Sequence, residues 1–407
     1  MLSNAEFVEI NDGSTFSLLT EVTRLLDDER YEEAESLCDE VILRNDLLAD
    51  AFYLKAAILS RCDRHEEAVD YYRQALEHCR CYDTSIVKYY FALSLFSIGK
   101  HREGWQNLFM SRIENQTFAP LHKSFRRFTK QLFVMQPPPA IVHIHVDGGD
   151  GDNFALMRYL PLLAEKGYTV RYETKDKMFE LARGSFTNVE VVPCASDFPG
   201  ISGIKDFDYH LPIVDLPFMF KTDIDTIPWN GPYIKANSEL VEKYKLYKGK
   251  IGICWSTGVK TIDWHKKSSG RKSLKFDLLK PIIDVNPAMF VCLQAGPSRL
   301  DNNRIIDCLP KDEHYLTWAE TAALIENLDL VISIDTSIAH LAGAMGKPTW
   351  LMMHKYLTSW QFMAECPGAS WNTASPWYPT MRIFRQKEKG DWSSVIASVT
   401  NDFLAIL

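Results

Sequence analysis

Through the first third of the chain, apolar residues recur three and four positions apart. They do so over Phe16–Leu26, Ala34–Leu43, Ala51–Leu59, Ala68–Leu76, Val87–Ile98 and Trp105–Phe109, a pattern that predicts amphipathic helices. The pattern then changes. Short runs rich in β-branched residues (Ala140–Val146, Val170–Glu173, Val189–Val192, Tyr209–Leu211) read as strands, as do 250–255, 289–294, 330–334 and 349–353. Helical spacing returns between them at Phe154–Ala164, 274–284, 319–327 and 337–345, and Asp391–Leu407 closes the chain as an amphipathic helix. Strands alternating with helices imply parallel sheets, and the two sets suit two α/β domains rather than one large sheet.

The predicted organisation is helical repeats over 1–115, a linker over 116–139, one Rossmann-like domain over 140–240 and a second over 241–407. Pro137-Pro138-Pro139 forbids helix at the first boundary, and Gly231–Gly249, rich in Lys and Tyr, reads as the hinge at the second. Within the first part, Arg30-Tyr31-Glu32-Glu33-Ala34 returns as Arg64-His65-Glu66-Glu67-Ala68 and, less faithfully, as Lys100-His101-Arg102-Glu103-Gly104. A helix–turn–helix period of about 34 residues resembles the tetratricopeptide repeat, with Ala34, Ala68 and Gly104 where paired helices approach closely. Such repeats either bind a partner chain on a concave face or serve as a structural cap.

Composition narrows the classes. A hydrophobic content of 46% and a charged content of 24% over 407 residues fit a globular protein of two or three domains. A net charge of −8 argues against a nucleic-acid groove as the main surface. Lys123, Arg126, Arg127 and Lys130, interleaved with Phe125 and Phe128, read as a helix snorkelling its cations more readily than as a phosphate site. Nine cysteines with no CxxC pair read as reduced thiols, and no metal-ligand spacing is present. The N-terminus lacks signal-peptide character, and no apolar run approaches the ~18 residues of a membrane span, so a cytoplasmic location is expected.

Candidate chemistry gathers at strand ends. Leu330–Ile334 is a buried strand, and Asp335, Thr336 and Ser337 are helix-capping types that open a helix ended by Gly346 and Pro348. A helix N-terminus with free N–H groups suits a phosphate, although an ordinary βαβ cap reads the same way. Trp255-Ser256-Thr257-Gly258-Val259-Lys260 follows the first strand of the second domain, and Asp147–Asn153 follows the first strand of the first. In such sheets ligands bind at the carboxyl ends of the strands.

Gly149-Asp150-Gly151-Asp152 with Arg158-Tyr159-Leu160-Pro161-Leu162-Leu163 resembles the glycine–aspartate loop and first helix of the heptosyltransferase-like glycosyltransferases (glycosyltransferase family 9, GT-B fold). Asp335–Ala344 resembles that family's nucleotide-binding helix. Ser375–Gln386 and Gly390-Asp391-Trp392 resemble the tail of its bacterial members that carry tetratricopeptide repeats. The resemblance implies an inverting, metal-independent transferase of hexosyl or heptosyl type. It would use a nucleotide-diphosphate sugar, with a glycan or protein as acceptor and no further cofactor.

Residue by residue, it implies Asp152 as the base that deprotonates the acceptor hydroxyl, against the alternative that Asp152 only caps its helix. Gly149, Gly151 and Asn153 would shape that loop. Asp335, Thr336, Ser337 and His340 would hold the diphosphate and ribose, while Ser256, Thr257 and Lys260 match the phosphate loop less closely. Lys272 would neutralise leaving-group charge, and Gln294 and Leu316 would lie near the nucleobase. His340 and Lys260 carry ordinary alternatives, a core histidine and a solvated lysine. Relatives carry an apolar residue where this chain has Asp150. Asp147, Asp150 and Asp152 offer carboxylates for a divalent ion, although the chemistry implied needs none. Asp223-Ile224-Asp225 spells the DxD of metal-dependent transferases but sits in a connecting segment and is discounted; His143 and His145 read as packing. The competing reading is a catalytically degenerate scaffold whose repeats bind a partner.

Overall fold

The computed structural model describes residues 13–44, 48–79, 84–114, 138–194, 206–257, 272–299, 304–308, 315–355, 360–362 and 373–407. The chain divides into two compact units, Met1–Pro120 with Tyr356–Cys366, and Leu121–Lys355 with Pro367–Leu407. Lys260 and most of the predicted linker lie outside the described residues.

The first unit carries helices α1 Gly13–Asp27, α2 Tyr31–Arg44, α3 Ala49–Arg61, α4 His65–His78, α5 Ser85–Ser97 and α6 His101–Glu114. The sequence repeat returns in the backbone. Glu29, Asp63 and Gly99 all take positive φ (61°, 62° and 79°) at the turns inside successive helix pairs. After each, the next N–H (Arg30, Arg64, Lys100) returns to a leucine carbonyl five residues back, at 2.9, 3.0 and 2.9 Å. Such left-handed residues close a helix and satisfy carbonyls that its last turn leaves open. Ala34 and Ala68 are fully buried, and a Cβ on Gly104 would stand 2.6 Å from the Phe96 ring, so the small residues do mark close helix approach. Residues 360–362 group with this unit, where Trp360 meets Trp105 edge-on with ring centroids 5.0 Å apart. Nothing in the local sequence pattern signalled that return of the chain.

The second unit holds two parallel sheets. The first is ordered β3-β2-β1-β4, with β1 Ile141–His145, β2 Thr169–Thr174, β3 Glu190–Pro193 and β4 Tyr209–Pro212. The second is ordered β6-β5-β7-β8-β9, with β5 Ile251–Cys254, β6 Phe290–Cys292, β7 Leu330–Ile334, β8 Thr349–Met353 and β9 Met381–Arg385. Helices followed by two parallel α/β sheets are the architecture expected of repeats joined to a GT-B fold. In both sheets the strand order reverses beside the first strand, so the crevices that bind ligands open at the ends of β1 and of β5 and β7.

Helices α7 Asp150–Leu156, α8 Tyr159–Glu165, α9 Asp176–Ser185, α10 Ser238–Lys243, α11 Trp318–Asn327, α12 Ser337–Ala344 and α13 Trp392–Ile406 surround the sheets. Helix α7 packs on α12 and α9 on α11, so the two sheet domains meet through helices. The helix expected over Phe154–Ala164 starts earlier and is broken at Met157 and Arg158. Pro161 has no N–H to give the Met157 carbonyl, so the helix restarts with the proline in its first turn. The stretch expected as one helix over 274–284 is a 3-10 turn and a single α turn with Pro281 near its start. The hinge segment carries α10, capped by Asn237, and Lys243 pairs with Glu320 of α11 at 2.8 Å.

Candidate functional site

The loop after β1 is drawn tight by its own polar groups. The Asn153 amide donates to the Asp147 and Gly149 carbonyls at 2.9 and 2.8 Å, and Gly148 turns the chain at φ 74°. One Asp152 oxygen accepts the Gly149 N–H at 3.0 Å, a reach back to the helix start. Asp152 is half-buried and close enough to act electrostatically on Tyr378. Gly151 has a separate reason to be glycine. A Cβ there would sit 2.6 Å from the His340 ring, so α7 and α12 touch through backbone and imidazole.

At the end of β7, Asp335 is buried in contact with two other residues singled out from the sequence. Lys272 forms an ion pair with its Oδ2, and His340 Nε2 lies 3.7 Å from its Oδ1. Burial alone would raise the Asp335 pKa; the Lys272 charge and His340 outweigh it and hold the carboxyl well below its ordinary range. His340 shares a 2.9 Å hydrogen bond between Nδ1 and the Tyr378 hydroxyl, so both its nitrogens face protein groups. Burial, with Tyr233 and the Asp152 charge, pushes the Tyr378 phenol well up against the opposing Arg158. Thr336 caps α12 by position without a side-chain cap bond; its hydroxyl faces that of Ser333 at 3.1 Å. The N–H groups of Ser337 and Ile338 have no acceptor among the described residues, the usual state of a helix start and the feature that suits an anion.

A second cluster forms at the end of β5. Ser273 Oγ accepts the Thr257 N–H at 3.1 Å and meets the hydroxyls of Thr257 and Ser256 at 3.3 and 3.4 Å. Gln294 is turned inward. Its oxygen accepts the Trp255 and Ser256 N–H groups at 3.1 and 2.8 Å, and its nitrogen donates to the Ser256 and Ala295 carbonyls at 3.0 Å each. Its amide is therefore used to shape the loop, where a base contact was expected. Cys254 lies between the two clusters, 3.8 Å from the Thr336 hydroxyl, with its thiol pushed up to about 11 by burial. Leu316 is half-buried one residue ahead of Thr317, the cap of α11.

Residues the sequence reading did not place complete the picture. Arg158 is almost fully buried. Its guanidinium donates to the Ala155 and Pro228 carbonyls and to Tyr233 Oη at 2.8, 3.1 and 3.0 Å. It also lies 4.9 to 5.7 Å from the ring centres of Trp229, Tyr233, Trp377 and Tyr378. Tyr378 therefore links this cage to His340. The signal was the aromatic pair in Ser375-Pro376-Trp377-Tyr378, whose spatial target no local rule gives.

Other candidates resolve locally. Asp223 caps a 3-10 turn, its side chain accepting the Ile224 N–H. His143 pairs with buried Glu173 at 2.9 Å and stacks on Phe207. Among the described residues no group of three or more His, Cys, Asp or Glu side chains is arranged to hold a metal ion. Nor is any helix there long and apolar enough to cross a membrane.

Two parallel sheets meeting over such loops define a class, the two-domain α/β proteins that take ligands at their strand ends. Within it, residues 309–350 match the profile of glycosyltransferase family 9 (heptosyltransferase), a segment that contains α11, β7 and α12. Protein FlbA of Caulobacter vibrioides is 24% identical over 223 residues, 51% of this chain and 35% of that protein. The chain thus spans about a third of the length of this curated relative. A family 9 glycosyl transferase from Veillonella parvula aligns over 67% of this chain and 99% of its own at 11% identity, with a TM-score of 0.47. The E. coli ADP-heptose lps heptosyltransferase II aligns over 65% of this chain and 99% of its own, also at 11% identity, with a TM-score of 0.43.

Proposed function

We propose that this protein is an inverting glycosyltransferase that moves a sugar from a nucleotide-diphosphate sugar to an acceptor hydroxyl of a glycan or protein. The observation that carries the reading is the meeting of Lys272, Asp335 and His340 at the open N-terminus of α12, inside the segment that matches family 9. Free N–H groups and a nearby ammonium supply the positive charge that a departing diphosphate needs, so the reading requires no metal. Asp335, itself anionic, holds Lys272 and His340 and meets sugar or ribose hydroxyls, leaving phosphate to the N–H groups and Thr336.

In the step, the Asp152 carboxylate takes the acceptor proton as the acceptor oxygen bonds to the anomeric carbon. The bond from that carbon to the diphosphate oxygen breaks with its electron pair going to the diphosphate. A hydroxyl of ordinary pKa is a weak nucleophile, so this base contributes roughly 10²–10⁴ in rate. The repeats recruit or orient the acceptor. One observation favours the scaffold reading instead: an Asp152 oxygen already accepts from Gly149, as a pure helix cap would.

Calorimetric titration with ADP, GDP, UDP, CDP and dTDP separates the two. Binding of one of these that is lost in Asp335→Ala supports the transferase. Transfer from the matching sugar nucleotide should then fall by at least about a hundredfold in Asp152→Asn. No binding at millimolar nucleotide would move the assignment to the scaffold.

A further inference from the structure

Asp150 is the position where this chain departs from the apolar residue its resemblance would place in the glycine loop, and the proposed chemistry gives it no task. Its carboxylate is 9% exposed and fully engaged. Lys175 reaches Oδ1 at 3.3 Å and also donates to the Gly148 carbonyl at 3.4 Å, and Lys177 pairs with Oδ2. The remaining partner comes from the other sheet domain. Trp318, the first residue of α11, donates its indole N–H to Asp150 Oδ2 at 3.1 Å. The same indole stands edge-on to Phe154 of α7, with centroids 4.9 Å apart and planes at 85°. One side chain of the second domain thus makes both a polar and an aromatic contact with the short helix that carries Asp152.

We infer that Asp150 and Trp318 form a tether between the two sheet domains that fixes the Asp152 loop against the helices at the end of β7. Asp150 is then a positioning residue for Asp152. The tether acts in parallel with the Gly151–His340 contact, which sets how closely α7 and α12 approach. The Lys175 and Lys177 ammoniums stand against the same carboxylate, and a carboxylate acceptor makes a stronger bond to the indole than a neutral one. The catalytic consequence rests on the transferase reading; the tether itself does not.

The test is hydrogen–deuterium exchange of the 148–153 amides in the full-length protein, paired with steady-state kinetics. Trp318→Phe keeps an aromatic ring beside Phe154 while removing the indole N–H and the smaller of its two fused rings. It should speed exchange of that loop about tenfold, the effect of losing one charge-assisted bond, while the melting temperature moves little. Asp150→Asn retains a neutral acceptor for the indole and should keep part of the protection that Asp150→Ala loses. With donor saturating, kcat should fall about tenfold in Trp318→Phe while the nucleotide dissociation constant stays within about twofold, a split that a general loss of stability would not produce.

Unchanged loop exchange in Trp318→Phe overturns the tether. So does equal loss of protection in Asp150→Asn and Asp150→Ala, since the lysines alone would then hold the loop. Faster exchange with an unaltered kcat overturns the positioning role. Faster exchange in a protein that binds no nucleotide keeps the tether and removes the transferase reading.

Discussion

A carboxylate buried as deeply as that of Asp335 stays charged only while its partners remain in place. Removing Lys272 takes the ammonium away from Asp335 Oδ2, and losing one partner of a buried pair costs roughly 3–5 kcal/mol. Because a quarter of the Lys272 side chain is exposed, Lys272→Ala should fall at the lower end, about 3 kcal/mol in urea unfolding. The double variant with Asp335→Ala should recover part of it, because the buried charge is then gone. Gly151→Ala tests the neighbouring contact. Its methyl would meet a His340 ring pinned by Tyr378, so stability should drop by about 1–3 kcal/mol, as overpacking does. A neutral outcome in thermal unfolding would mean that α7 can move off α12.

At the scale of elements, the repeat turns show local sequence and structure agreeing, and His65 at the start of α4 gives them a pH signature. Burial depresses its pKa from the ordinary 6.5 to about 4. The unfolded chain therefore takes up a proton through a range in which the folded chain does not, and stability falls as pH drops from 6.5 towards 4. Linkage gives a loss of about 2 kcal/mol between pH 7.5 and pH 5 from this group. Urea midpoints followed by far-UV circular dichroism should show that slope reduced in His65→Gln. An identical slope would assign the pH dependence to other groups.

Element boundaries divide by cause. β7 and β8 were legible to the residue because both are short apolar runs closed by capping, Gly or Pro signals. β9 was not read as a strand, since Met381–Arg385 mixes arginines into the last strand of the sheet order, beside β8. The break inside the first sheet-domain helix was also written in the sequence, at Pro161, and went unread.

For the molecule as a whole, the helical unit and the sheet unit have cores of their own. A nucleotide bound at the ends of β5 and β7 should therefore stabilise the sheet unit by about 2.7 kcal/mol at a hundredfold excess over its dissociation constant. Scanning calorimetry should show one transition moving upward and another standing still. A single transition that shifts as one would mean that the units unfold together.

The sequence alone determined the six repeat helices, the repeat itself, eight of the nine described strands and the residue types at their ends, because periodicity and capping act over a few positions of chain. It also supplied Lys272, Asp335 and His340 as candidates. Tertiary structure decided which of these meet. It turned Gln294 inward onto backbone, set Tyr378 on His340, surrounded Arg158 with four aromatic rings and joined Asp150 to Trp318. The His340–Tyr378 and Asp150–Trp318 pairings span 38 and 168 residues of chain, and the second depends on how the two sheet domains dock. Hydrogen-bond geometry at such separations is fixed only by packing, which no short window of sequence contains.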